Sequence, residues 1–163
     1  MASRTPNRTI LIVNDRHEIL AYFFNLFESG ELGSFDILGD AGKPSHRWHP
    51  TIRHIDPLKF DEMFEAMVRS GNTYPLCIID MQMPGADGKL DDQRGLVSAR
   101  RARELDPRIH IMICTHLPFF DGAELVASVG GSTHFFRMPF SGEQEQEFCR
   151  RVRELIDDWN RAA

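Results

Sequence analysis

Long apolar runs are missing from this chain of 163 residues. Its longest, such as "TILIV" and "IHIMICT", fall far short of the roughly 20 residues that a membrane span needs. Nor does the opening "MASRTPNR" lead into a secretory segment, because "TILIV" breaks at once into Asn14-Asp15-Arg16. Cysteine is scarce: Cys77, Cys114 and Cys149 are odd in number and show no CxxC spacing. They read as small core hydrophobes in a reducing cytoplasm, which excludes a disulfide framework. Basic excess is absent too. The net charge of −5 argues against nucleic acid or an anionic membrane as the main partner. No internal repeat or low-complexity tract breaks the chain into units.

What remains is ordinary globular composition, 42% hydrophobic and 26% charged. One domain over residues 1–163 accounts for this length and is large enough to bury a core. "TILIV" predicts a first strand buried on both faces. "DRHEILAYFFNLFESG" predicts a helix, with Ile19, Leu20, Phe23, Phe24 and Phe27 at helical spacing and Gly30 as its stop. Residues 31–50 show no period and hold several glycines and prolines. They are expected to form an irregular insertion, with at most a short strand at "FDIL".

"TIRHI" is expected to be the second strand. Asp56-Pro57 then predicts a helix opening, with Phe60, Met63, Phe64, Met67 and Val68 as the apolar stripe up to Arg69. After the strand "PLCIID" comes a polar loop, "PGADGKLDDQ", and a helix "RGLVSARRAREL". "IHIMICT" is another fully apolar strand. A short helix follows, capped by Asp121 and stopped by Gly130-Gly131. "THFF" is the last strand, and a final helix over residues 142–160 carries Phe148, Val152, Leu155, Ile156 and Trp159 on one face. Five strand–helix alternations with apolar inner strands imply an α/β fold, a parallel sheet covered on both sides.

In such a fold ligands collect at the carboxyl ends of the strands. There the first strand presents Asn14-Asp15, the third Asp80, the fourth Thr115, and the last leads to Phe135 and Pro139. Neighbouring carboxylates resist joint ionisation unless a cation lies between them. Carboxylates, a backbone carbonyl and water are what Mg²⁺ prefers.

These residues closely resemble the receiver domain of two-component response regulators. The match runs through "ILIVND", "CIIDMQMPGADG", "IMICTHLP" and "FFRMPF". The resemblance implies a doubly wound (βα)5 flavodoxin-like sandwich, its five parallel strands in the order 2-1-3-4-5. By it, Asp80 would be the phosphoacceptor, a carboxylate nucleophile that forms an acyl phosphate. Asp15, Asp80 and the backbone carbonyl of Gln82 would hold Mg²⁺. Thr115 would hydrogen-bond the phosphoryl group, and Phe135 would turn inward with it. The donor would be a histidine kinase or a phosphotransfer protein in the cytoplasm. The last helix ends close to the end of the chain, so output is expected through protein–protein contact. The expected face is the fourth helix, fifth strand and fifth helix, with Phe119, Phe120, Phe135 and Phe136, where a homodimer would also form.

Three departures from the family pattern set up a competing expectation. Asn14 replaces an acidic residue; it would meet the metal only through water, with Glu18 one turn further on as compensation. Met138 replaces a lysine that pairs with the phosphorylated aspartate. The adjacent Arg137 points to the opposite face of an extended chain, so charge stabilisation is lost. His116 replaces a small residue, either screening the aspartate or bringing a protonatable imidazole to it. The alternative is therefore a degenerate receiver, with Mg²⁺ weakly bound or absent, used for docking or dimerisation. An enzyme is not expected, since an aspartate-nucleophile phosphohydrolase wants a second carboxylate where Gln82 stands.

The remaining features read as structural. His46 and His49, with Trp48 between them and His54 beyond, are three apart, but their proline-rich context argues against the helix that would set them on one face. No cysteine lies near, so a surface loop is expected rather than a zinc site. Arg100, Arg101, Arg103 and Arg108 interleave with Glu104 and Asp106 as a solvated helix face. Asp87, Asp91 and Asp92 keep a loop soluble.

Overall fold

The computed structural model describes residues 4–28 and 50–162. The expected strand at "FDIL", the insertion around it, Gly30, His46, Trp48 and His49 lie outside the described residues. In chain order the elements are β1 (Thr9–Val13), α1 (His17–Glu28), β2 (Thr51–Ile55), α2 (Phe60–Arg69), β3 (Leu76–Ile79), β4 (Met83–Pro84) and β5 (Leu90–Asp91). They are followed by α3 (Arg94–Leu105), β6 (His110–Thr115), α4 (Gly122–Val129), β7 (Thr133–Arg137) and α5 (Gly142–Ala162). Five strands form one parallel sheet in the order β2-β1-β3-β6-β7. That is the expected 2-1-3-4-5 once the short pair β4–β5 is set aside.

Alternation along the buried strands divides the core in two. Ile10, Ile12, Leu76, Ile78, Met112 and Cys114 face α1 and α5, where Phe23, Phe27, Phe148 and Val152 cover them. Leu11, Val13, Cys77, Ile79, Ile111 and Ile113 face the opposite layer, meeting Phe60 and Phe64 of α2, Leu96 and Ala99 of α3, and Leu125 of α4. The three cysteines are free and buried, as expected. Burial pushes the Cys77 thiol up to about 12, so it stays neutral. Among the described residues no helix is long and apolar enough to cross a membrane.

Two local expectations are corrected. Asp56-Pro57 does not open α2. Asp56 Oδ1 accepts from the Leu58 N–H at 2.9 Å, which makes a turn, and α2 begins at Phe60. The segment after Asp80 is not wholly loop either, because Met83 and Pro84 pair antiparallel with Asp91 and Leu90. Its carboxylates serve turns: Asp87 accepts from Lys89 N at 3.0 Å, and Asp91 from Gln93 N at 2.8 Å.

The arginine run does more than face solvent. Arg100 donates to Ser128 Oγ at 2.9 Å, and Arg101 meets Glu65 at 3.3 Å. Arg108 lies 4.9 Å from the Trp159 ring centroid. Arg103 spends all five of its N–H groups at the amino edge of the sheet. Nε donates to Gly130 O, Nη1 to Pro107 O and Ile109 O, and Nη2 to Ser132 O and Thr133 Oγ1. Gly131 lies so close that a Cβ there would come within 2.8 Å of the Arg103 side chain.

Candidate functional site

The strand order reverses between β1 and β3, and their carboxyl ends open a crevice at that switch point. The register sets Val13 beside Ile79, so the next residues, Asn14 and Asp80, stand side by side. Both are buried, and Asn14 Nδ2 donates to Asp80 Oδ2 at 3.4 Å. Asn14 Oδ1 accepts from Arg16 N at 2.9 Å, which orients the amide nitrogen toward Asp80. Only the second lone pair of that oxygen remains for the water-mediated metal contact expected of Asn14. His54 Nε2 hydrogen-bonds the Asn14 carbonyl at 2.9 Å and ties β2 to the same edge.

Asp80 Oδ1 is buried with no hydrogen-bond partner. Burial pushes the Asp80 carboxyl above its ordinary range. The N–H groups of Met81 and Gln82, the Thr115 hydroxyl and the His116 ring lie near enough to draw it part of the way back. Thr115 is fully buried; its Oγ1 accepts from Leu117 N at 3.2 Å and its carbonyl from Met138 N at 2.9 Å. Asp15, one residue past Asn14, is exposed. Glu18 does not compensate for Asn14, because it is exposed and paired with Arg16 at 2.6 Å.

The raised carboxyl makes a prediction. An acid whose folded-state affinity for its proton exceeds the unfolded one stabilises the fold fully below the unfolded value, here 3.8, and loses that contribution as pH rises through the folded value. At pH 7 the buried charge is therefore a burden. Asp80→Asn is expected to stabilise the fold there by about 1 kcal/mol, the gain shrinking on acidification. Urea unfolding of both proteins across the acidic and neutral range measures it; equal midpoints at pH 7 would contradict it.

Of the expected residues, Thr115 stands against Asp80, while Asp15 is exposed one residue past Asn14. Among the described residues no group of three or more His, Cys, Asp and Glu side chains gathers as a metal site. The donors available are two carboxylates, the backbone after Asp80, and water. That set suits Mg²⁺, which keeps several of its waters, and the unpartnered Asp80 Oδ1 is an acceptor in want of a cation or donor. Asn14 adds no charge, so the set is a weak one.

The two substitutions near the last proline have distinct outcomes. Met138 is buried among the apolar residues of the α1–α5 layer. Arg137 turns the other way, donating to Leu117 O at 2.5 Å and Phe120 O at 2.7 Å, with its guanidinium 5.4 Å from the Phe135 ring. Phe135 is half-buried against the first turn of α4, where a Cβ on Gly122 would come within 2.5 Å of its ring. Grooves of about 420 and 500 Å³ flank Phe135 and Phe136 on the α4–β7–α5 face, and Phe119 is 63% exposed nearby.

Gly95 escaped the sequence reading. A Cβ there would lie 1.8 Å from the Asp80 carbonyl oxygen and 2.7 Å from Met81 Cα, and Gly95 N donates to Met81 O at 2.9 Å. The first turn of α3 thus presses directly on the backbone that carries Asp80. The available signal was a glycine at the second position of a helix, where it costs stability unless close approach requires it. Gln82 was expected for its carbonyl alone, but its side chain also donates to Asp92 Oδ1 at 2.6 Å and braces the loop.

No family model matches the chain, and neither does any curated protein. Solved structures do match in fold. A CheY-like response regulator receiver domain protein from Methanospirillum hungatei is 15% identical, with 96% of this chain and 99% of that one covered at a TM-score of 0.61. The receiver domain of a sensor histidine kinase from Pseudomonas aeruginosa, described with a magnesium ion coordinated in its active-site cleft, is 16% identical. The match covers 93% of this chain and 98% of that one at 0.60. A response regulator receiver domain from Geobacillus stearothermophilus is 19% identical over 92% and 95%, at 0.57. The fold is therefore that of the receiver domains of response regulators.

Proposed function

We propose that the chain is a signalling receiver that accepts a phosphoryl group on Asp80 from a histidine kinase or phosphotransfer protein. The observation that carries this is the buried, unpartnered Oδ1 of Asp80 at the switch point, beside Thr115 and one strand from Asp15. An Asp80 oxygen attacks phosphorus, the bond from phosphorus to the donor breaks, and its electron pair leaves with the donor. Mg²⁺, held by Asp15, the Asp80 carboxylate and the Gln82 carbonyl, would supply positive charge against the phosphoryl oxygens. The Thr115 hydroxyl then donates to a phosphoryl oxygen in place of its contact with the bare carboxylate. Leaving the pocket edge for that group biases β6 and its neighbour Phe135, and the α4–β7–α5 grooves change shape. Output is a contact there with a target protein or a second copy of the chain. The protein is an acceptor rather than a turnover enzyme, and its free, buried cysteines suit a reducing cytoplasm.

The test is incubation with Mg²⁺ and a small phosphodonor, followed by intact mass. One phosphoryl group is expected on the wild type and none on Asp80→Asn. Absence of mass gain, with no spectral response to beryllofluoride, would defeat the reading. It would favour a second one, to which buried Met138 already points: a receiver fold that keeps only its docking face.

A further inference from the structure

Arg137 stands next to the Asp80 edge without entering it. It is the last residue of β7, and the register pairs it with Thr115, the last residue of β6. Paired residues of neighbouring strands share one face of the sheet, so the two side chains start from the same side. The Arg137 guanidinium lies 5.4 Å from the ring centroid of Phe135, two residues back along that face, and the stacking limits where its fork can point. Nη1 donates to Leu117 O at 2.5 Å and Nη2 to Phe120 O at 2.7 Å. Both acceptors belong to residues 116–121, which lie in no helix or strand and run from Thr115 to Asp121, the cap of α4. One planar group thus anchors this loop at two points.

The loop in turn reaches the site. Leu117 is bonded at both of its backbone groups: its carbonyl accepts from Arg137, and its N–H donates to Thr115 Oγ1 at 3.2 Å. A threonine hydroxyl has one hydrogen and two lone pairs. With the Leu117 N–H directed at the oxygen, the hydroxyl hydrogen is left for another acceptor. Asp80 is that acceptor, for Thr115 is fully buried and its hydroxyl draws the Asp80 carboxyl down against the effect of burial. Were Leu117 to drift, the hydroxyl would lose the donor that fixes its orientation.

We propose that Arg137 is a positioning residue for phosphoryl transfer: by pinning Leu117 and Phe120 it keeps the Leu117 N–H on the Thr115 oxygen, and so keeps the Thr115 hydroxyl hydrogen aimed at Asp80. This rests on Asp80 being the phosphoacceptor. Arg137 itself touches no reacting atom. It acts through one loop residue on the side chain that donates to the phosphoryl group, which is how supporting hydrogen bonds hold a reactive geometry.

A double-mutant cycle on the full-length chain tests this. Arg137→Met, Thr115→Val, Thr115→Ala as a second hydroxyl-free variant, and Arg137→Met combined with Thr115→Val are compared with wild type. Each is given Mg²⁺ and acetyl phosphate, and intact mass is followed over time, together with the concentration of beryllofluoride needed for half-maximal response. Arg137 is exposed, so its replacement leaves the core intact. Thr115→Val is expected to slow mass gain and weaken beryllofluoride binding about a hundredfold, and Arg137→Met about tenfold. The combined variant should match Thr115→Val to within about twofold, because a residue that acts through the hydroxyl has nothing to act on once it is gone. A merely structural Arg137 would instead multiply the two losses. Arg137→Met equal to wild type, a combined loss that is the full product, or hydroxyl-free variants equal to wild type each overturn the inference and leave the function standing. A wild type that gains no mass, and ignores beryllofluoride, removes the function and the inference together.

Discussion

Adding one methyl group at Gly95 is expected to cost about 3 kcal/mol of stability and to displace Asp80. The added Cβ would stand 1.8 Å from the Asp80 carbonyl oxygen, 2.7 Å from its carbon and 2.7 Å from Met81 Cα. All three are backbone atoms, so no side chain can rotate away to make room. They belong to Asp80 and Met81; the Asp80 amide is bonded to Val13 O at 3.3 Å, and the strand that leads into it pairs on both sides. Relief must come from moving the first turn of α3, which breaks the Gly95 N to Met81 O bond and uncovers Leu96 and Ala99. Urea unfolding of Gly95→Ala, with the slope checked against wild type, reads the cost. Gly142→Ala is the control, since a Cβ there meets nothing within 4 Å, and it should be neutral. A Gly95→Ala midpoint equal to the control would show that α3 does not press on β3 as described.

The second large effect is expected at the opposite edge of the sheet. Arg103→Met keeps much of the apolar stem but takes the donor from the carbonyls of Pro107 and Ile109, and one of two donors from those of Gly130 and Ser132, which keep Thr133 Oγ1 and Ile111 N. Those groups come from the end of α3, the start of β6, and the turn between α4 and β7, three segments distant in sequence. Loss of about 3 kcal/mol is expected, because part-buried carbonyls cost more when orphaned than a hydrogen bond gains. Arg103→Lys should recover little of it. An ammonium has three donors on a single nitrogen, whereas these acceptors surround a planar fork. A lysine variant as stable as wild type would contradict the network.

Much of the architecture was legible because it follows from two periods. Apolar continuity in "TILIV", "PLCIID" and "IHIMICT" requires strands covered on both faces, and the intervening stripes require helices to cover them. The shared edge followed from polarity: parallel strands all end on one side, which is where Asn14, Asp80 and Thr115 meet. The opposed fates of Arg137 and Met138 were legible too, since adjacent residues of an extended chain face opposite sides. What escaped was local and short. A two-residue pairing such as Met83–Pro84 with Leu90–Asp91 has no period to detect. Asp56-Pro57 fits a turn as well as a helix cap, and only the bond from Leu58 N to Asp56 Oδ1 separates them.

Residue order alone, then, determined a parallel α/β sandwich with acidic and hydroxyl side chains at one edge, because burial and strand polarity are properties of pattern. Tertiary structure alone decided how near those side chains come and what else reaches them. It turned the Asn14 amide nitrogen toward Asp80, drew Arg137 onto loop carbonyls, buried Met138, and pressed Gly95 against the Asp80 backbone. Such contacts join residues many positions apart. Their distances depend on how whole layers pack, which no short stretch of sequence encodes.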